Sequence, residues 1–423
     1  MATNPVMDRM RMRRIIAEDP TWSLDLIPAL STLCLQSIVT NFERNPVLED
    51  LPVNQRTFVL DQLSPALPLR VTANYIADGV YWKRCCQLRW GVCDLAAYGH
   101  SWKRMYMEKH LEHMIEHFVP GLTDPKNIVS LVPLCNSYIS RLEITQLLPP
   151  VKEQLRKGRN NAFPQIDHFD FRILLAKLTS LEELDITYRV KQCGMNFEWS
   201  MFEVTNRDCE YLAEAVESCK TLKFLRLSNS HLRDEHCRTL VKQLYNHPTL
   251  IHLDLSYNLI ADVGGKAVGK LLTRCKLETV TLIYNNIGER GAEVLATALT
   301  KNTTLLSLNL RLNQIKDVGG QAICEALLRN NVLLHLHLGA NQLTWITAEA
   351  LAKVLKHNQT LKSINLSCNK LGPEGGRVLQ EAIAENTTLT EFDLSKTDID
   401  QESADFIEQV VSSNRLADKK KQS

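Results

Sequence analysis

A leucine pattern recurs every 28 residues or so through the second half of the chain, and it leaves little freedom of fold. Leu250, Leu277, Leu305, Leu333, Leu361 and Leu389 each open LxxLxLxxNxL or a near variant, at spacings of 27, 28, 28, 28 and 28. The ninth position of these units reads Asn258, Asn285, Asn313, Asn341 and Asn369, then Thr397 in the last. An earlier unit at Leu222 carries Ser230 there, and a weaker one starts at Leu181 (LEELDI). The LxLxL alternation makes a short strand with its leucines on one side. One such unit cannot bury that side alone, so the units must stack, each on the next.

The period is that of ribonuclease-inhibitor-like leucine-rich repeats. The expected fold is an α/β solenoid: a horseshoe with parallel strands inside and helices outside, preceded by an all-α N-terminal domain. The helical half of each unit reads as one buried face of small and apolar residues, as in RGAEVLATALTKN and GGQAICEALLRN. The asparagines Asn258, Asn285, Asn313, Asn341 and Asn369 are expected to form a ladder, each amide bonding the backbone of neighbouring turns. An unmatched buried amide would cost roughly 1–3 kcal/mol, so the ladder must run unbroken. Ser230 and Thr397 flank it, where stacking is expected to give way to caps. Asn246, Asn302, Asn330, Asn358 and Asn386 fall at helix ends, where the left-handed conformation that asparagine tolerates stops a helix. Three of these sit in sequons, but repeat geometry already accounts for them. The VGG and EGG pairs at 263–265, 318–320 and 374–376 read as strand-to-helix turns, since none has phosphate-loop spacing.

Charge and cysteine usage then exclude whole classes of function. Lys+Arg 49 against Asp+Glu 48 leaves a formal charge of +1, against the basic excess of a chain that coats nucleic acid. The twelve cysteines are scattered with no CxxC pair, so neither a disulfide framework nor a zinc site is indicated, and a reducing, intracellular compartment is expected. The first twenty residues lack the apolar segment of a signal peptide, and no run approaches the length of a membrane span. No nucleic acid, membrane or cofactor is expected as a partner.

Residues 1–148 carry no repeat and read as a helical domain with tryptophans 22, 82, 90 and 102 in its core. Residues 149–168 read as a linker, 169–415 as the repeat domain and 416–423 as a basic tail. The basic run at 8–14 reads as a solvated helix end, with an acidic protein surface such as tubulin as the alternative. From Leu181 to Leu222 is 41 residues, about 13 more than a unit needs. That insertion, near 190–204, carries Phe197, Trp199 and Phe202. It is expected to fold back over the open end of the solenoid, or else to dock on a partner.

Two columns of residues are expected to face the concave side. One runs Arg226, Asp254, Thr281, Asn309, His337, Asn365, Asp393, and its neighbour Phe224, His252, Thr279, Ser307, His335, Ser363, Glu391. Tyr257 and Tyr284 sit side by side at strand exits, with Arg311 one unit further on. No nucleophile has a base assigned to it, and His335 with His337 lacks a third ligand for a metal. The mixed polar columns suit a protein-binding wall, with Arg226, Asp254, Tyr257, Tyr284, Arg311, His335, His337 and Asp393 as its candidate residues and no catalytic group among them.

Two resemblances extend this reading. LSPALPLRVTANYIADGVYWKRCCQLRW followed by SWKRMYMEKHL resembles an F-box in part, the segment between LPLRV and YWKRC being shorter than a full F-box helical set. An F-box ahead of leucine-rich repeats implies a substrate receptor of a ubiquitin ligase. RMRRIIAEDPTWSL, LPLRVTANYI, YWKRCCQLRW, SWKRMYMEKHLE and CGMNFEW, ahead of these repeats, resemble the leucine-rich-repeat subunits of the nexin–dynein regulatory complex, from about residue 10 to 410. That resemblance implies a structural, non-enzymatic subunit in ciliary and flagellar axonemes, sperm tails included. It implies other subunits of that complex as partners, and tubulin of the doublet microtubule or an inner-arm dynein as further ones.

Overall fold

The computed structural model describes residues 29–150, 168–193, 195 and 198–422. Most of the expected linker, the basic run at 8–14, the motif at 11–24 with Trp22, Phe197 and the side chain of Trp199 lie outside the described residues. The chain divides into two compact units, Met1–Tyr106 and Met107–Ser423.

The first unit is helical: α1 (Leu30–Asn41), α2 (Val53–Gln62), α3 (Leu69–Tyr75) and α4 (Val80–Arg89), with the start of α5 (Trp102–Glu116). Proline supplies the residue before α2 and α3, where a missing N–H costs nothing. Tyr81, Trp82, Cys85 and Cys86 on α4 are buried, while Lys83 and Arg89 stay exposed. Trp82 Nε1 and Lys103 Nζ both donate to the Ile76 carbonyl, which the end of α3 leaves unused. Of the expected core tryptophans, Trp82 is fully buried; Trp90 and Trp102 pack half-buried against Cys86, Tyr98 and Met105.

The second unit holds a parallel sheet of nine strands in sequence order among the described residues. They are β1 (Arg141–Ile144), β2 (Glu183–Ile186), β3 (Phe224–Leu227), β4 (His252–Asp254), β5 (Thr279–Thr281), β6 (Ser307–Asn309), β7 (His335–His337), β8 (Ser363–Asn365) and β9 (Glu391–Asp393). Short helices α6 (Lys126–Val129) and α7 (Val132–Cys135) precede β1. Between the later strands run α8 (Asn206–Ser218), α9 (Asp234–Leu244), α10 (Asp262–Leu272), α11 (Glu289–Leu299), α12 (Lys316–Leu327), α13 (Trp345–His357) and α14 (Gly372–Ile383), and α15 (Gln401–Gln422) ends the array. Each central strand leucine or its equivalent is buried, from Leu142 to Phe392.

The sheet starts earlier than expected. β1 lies within the stretch read as the helical domain and pairs with β2 in register, Arg141 opposite Glu183 and Glu143 opposite Asp185. β2 is therefore not an open end, and the insertion that follows it sits between interior strands rather than beyond a terminal one. The free edge of β1 is satisfied instead by a row of carboxylates four residues apart on α5. Glu108 accepts the Ser140 and Arg141 amides at 2.9 and 3.0 Å, Glu112 the Glu143 amide at 2.8 Å, and Glu116 the Thr145 amide at 2.8 Å. An unpaired strand edge templates aggregation, and here side chains take up the N–H groups that a tenth strand would have used. Burial pushes the Glu112 carboxyl up, with Lys109 opposing. Glu108→Ala is expected to destabilise the unit by about 1–3 kcal/mol through the unpaired amides, read as a lowered denaturation midpoint; an unchanged midpoint would remove this edge from the account.

At the other end the expected basic tail is the last turns of α15. Lys362 Nζ meets Asp418 at 2.8 Å and Arg415 Nε donates to the Thr390 carbonyl at 3.0 Å, so the helix closes the final repeat. The paired glycines also differ from expectation. Gly264, Gly319 and Gly375 lie inside the first turns of helices, not in turns before them. At Gly319 a Cβ would stand 2.7 Å from Ala292 Cβ of the preceding helix, so glycine is required by the spacing of adjacent repeats.

Candidate protein-binding face

The asparagines at the ninth position are all buried. Asn313 Nδ2 donates to the carbonyls of Leu282 (2.8 Å) and Leu310 (3.0 Å), and its Oδ1 accepts the Ile287 amide at 3.1 Å. Asn258, Asn285, Asn341 and Asn369 repeat this scheme, each tying its own turn to the one before. Ser230 continues it in shortened form, its Oγ accepting the Tyr188 amide at 2.9 Å; stacking does not run out there, since β2 and β1 lie beyond. At the far end Thr397 Oγ1 donates to the Leu394 carbonyl at 2.6 Å.

The residue just before each of these positions has a left-handed backbone: Asn229, Tyr257, Tyr284, Leu312, Ala340, Cys368 and Lys396, with φ from 49° to 59°. None is β-branched, the side-chain class for which that conformation is most strained. The left-handed step turns the asparagine inward and its predecessor outward. It is what exposes Tyr257 and Tyr284, whose rings stack at 5.7 Å with a 28° interplanar angle.

A second ladder runs on the helix-to-strand side, and the sequence reading missed its nature. Asn302, Asn330, Asn358 and Asn386 are buried and none has a positive φ, so they do not stop helices by the left-handed route. Asn330 Nδ2 donates to the Leu299 and Asn302 carbonyls at 2.8 and 3.2 Å, while its Oδ1 accepts the Val332 and Leu333 amides. Asn414 extends the ladder into α15 by bonding the Asn386 carbonyl at 2.9 Å. His247, not Asn246, holds the equivalent place upstream, its Nε2 against the Cys219 carbonyl at 3.0 Å. The 27-residue unit shifts the count by one, which the multiples of 28 conceal. Burial of Asn302, Asn358 and Asn386 with their amides engaged also leaves the three sequons unavailable for glycosylation.

Strand register places both polar columns as laid out from the sequence, and β1 and β2 prolong them with Arg141, Glu143, Glu183 and Asp185. Arg226, Tyr257, Tyr284 and Arg311 are exposed; Asp254, His335, His337 and Asp393 are half-buried. Arg226 lies between Asp185 and Asp254, 3.0 Å from each. Burial opposes its charge, but those two carboxylates more than offset this and hold the guanidinium above its usual value. Beside it Phe224 stacks flat on His252, centroids 4.2 Å apart. Asp254, Asn309, Asn365 and Asp393 each accept the amide two residues on, so this column also braces its own turns. Burial raises the Asp393 carboxyl, yet bonds from Ser395 and Asn365 bring it below the ordinary range. His337 is pushed down by burial first and by His335 second.

Among the described residues no group of three His, Cys, Asp or Glu is placed to hold a metal, and no helix is long and apolar enough to cross a membrane. All twelve cysteines are unpaired. Burial pushes the Cys86, Cys209 and Cys324 thiols up to about 12, the reverse of an activated thiolate. Phe202 is half-buried at the end of a 3-10 turn, Trp199–Phe202, and Met195 in the same insertion is fully exposed.

Comparison with known proteins bears on both halves of the chain. The Leucine Rich repeat family model matches residues 246–269, 301–324, 357–379 and 385–407. A Macaca fascicularis protein named Dynein regulatory complex subunit 5 is 48% identical over 308 residues, which is 70% of this chain and 62% of that one. The Homo sapiens protein of that name is 48% identical over 278 residues, 63% of this chain and 56% of its own. The Chlamydomonas reinhardtii protein is 32% identical over 215 residues, 51% of this chain and 50% of its own. This chain thus spans between half and two thirds of the length of the curated relatives it matches. The resemblance read from the non-repeat motifs and these relatives agree. The chain folds as a leucine-rich-repeat solenoid and is similar to the proteins named Dynein regulatory complex subunit 5.

Proposed function

We propose that the chain is a non-enzymatic scaffold subunit of the axonemal nexin–dynein regulatory complex, acting in the regulation of dynein-driven motion of cilia and flagella, sperm included. Its homology to proteins of that name carries the reading. The rigid sheet supports it physically, presenting exposed Tyr257, Tyr284, Arg226 and Arg311 beside half-buried Asp254, His335, His337 and Asp393. Paired exposed aromatics with a charged surround are the composition of a protein-binding centre, not of a solvated face. Other subunits of the complex are the partners for this wall. Tubulin of the doublet microtubule or an inner-arm dynein is assigned to the N-terminal region, and Phe197, Trp199 and Phe202 to docking. The site of action is the axoneme, within the cytoplasm and its cytoskeleton. Helix α4, with the aromatic and basic residues around it, serves as the core of the first unit and needs no reactive thiol.

The test is Tyr257→Asp with Tyr284→Asp. Aspartate accepts the left-handed backbone, so fold and stability are expected to persist while incorporation into the complex falls by about tenfold or more. Co-purification of tagged variant and parent from ciliated cells measures this. Normal incorporation would move the interface off the sheet. Stoichiometric recovery of a ubiquitin-ligase adaptor would instead replace the scaffold with the F-box-type receptor.

A further inference from the structure

Two neighbouring helices carry only cations at a pair of outward positions where each other repeat helix has at least one acid, alone or beside a cation as on α13 (Lys353) and α14 (Arg377). At the pair of sites related by the repeat, α9 has Arg238 and Lys242, and α10 has Lys266 and Lys270, with Arg274 one turn further on. Every other repeat helix has at least one acid at those two sites: Glu210 and Glu214 on α8, Glu293 on α11, Glu325 on α12, Glu349 on α13, Glu381 on α14 and Asp405 on α15. The repeat itself therefore does not dictate the cations, and like charges four residues apart on a helix oppose its stability.

The two rows face each other across a groove lined by all four cations, with Tyr245, Val263 and Ala267 among its other residues and a single carboxylate, Glu235. The four cations are exposed, and none pairs with a carboxylate among the described residues. Val263, on the groove wall, stands 50% exposed. Arg274 lies over the Tyr245 ring, 5.1 Å from its centroid.

We infer that this helix-side groove between α9 and α10 binds an acidic peptide segment of a partner protein, glutamate- or aspartate-rich with an apolar side chain set on Val263. Charge complementarity favours an anion, and exposed Val263 beside the cations favours hydrocarbon between the negative charges. Nucleic acid fits less well: the one ring in the groove is already covered by Arg274, leaving no platform for a base, and a net charge of +1 offers no longer track for phosphates. This surface is independent of the sheet face and stands whether or not that face binds other subunits.

The experiment uses the full chain and a fluorescein-labelled polyglutamate peptide with one central leucine, followed by anisotropy at low and physiological salt. The parent is expected to bind, more weakly as salt rises. Lys242→Glu with Lys266→Glu is expected to reduce affinity by about tenfold or more at low salt with an unchanged melting curve. Lys301→Glu with Lys353→Glu, outside the groove, is expected to leave it unchanged. If the first pair fails to fold, Lys242→Gln with Lys266→Gln gives the same comparison. Equal binding by the groove variant and the parent overturns the proposal. So does tighter binding of a single-stranded oligonucleotide or of anionic vesicles than of the peptide.

Discussion

Asn313→Ala is expected to lower the stability of the repeat unit by roughly 3 kcal/mol, because it strands two carbonyls and an amide where water does not reach. The partners are the Leu282 and Leu310 carbonyls and the Ile287 amide, drawn from two successive turns. A deletion that empties one bond would cost about 1 kcal/mol, whereas this one breaks the joint between two repeats. Urea titration followed by circular dichroism reads the effect as a lower midpoint, with the loss centred on the units around β5 and β6. A midpoint matching the parent's would remove the ladder as a source of stability.

Asn330→Gly separates two accounts of the helix-end asparagines. Were Asn330 a left-handed helix stop, glycine would replace it without loss, since glycine takes that conformation freely. The structure has it buried at 2% exposure, without a positive φ, and bonded to two carbonyls and two amides. Glycine is therefore expected to be as damaging as alanine, at about 2–4 kcal/mol, with Asn330→Ala measured beside it. A glycine variant with parental stability would restore the helix-stop account.

Much of the sheet was legible because a leucine-rich repeat writes its register into its spacing. Once Leu250 and Leu277 are aligned, Asp254 must lie opposite Thr281, and the two polar columns follow residue by residue. Tyr257 and Tyr284 were placed side by side on the same ground. Their exposure was expected, but its cause was not legible: a left-handed backbone leaves no mark when the residue is tyrosine rather than glycine. The helix-end asparagines were found but misread: position on a helix suggests a local role, and while Asn330 Oδ1 does bond local amides, its Nδ2 reaches carbonyls 28 or more residues away. His247 was missed because one unit is a residue short. The row Glu108, Glu112, Glu116 carries a visible four-residue period, the signal of one helix face, but its partners are amides of a strand outside the repeat.

The sequence by itself determined that this chain must stack parallel strands against helices, which residues share a column, and that asparagine sits where each strand turns. Those follow from periodicity, which is a local property copied from unit to unit. The tertiary structure alone decided where the stack begins and ends. β1 joins the sheet from outside the repeat, α5 satisfies its edge with carboxylates, and α15 closes the last unit through Asn414. It also decided that two basic helices face one groove. At its ends a solenoid meets residues that repeat nothing, and there burial and hydrogen bonding across long sequence separations choose the partners.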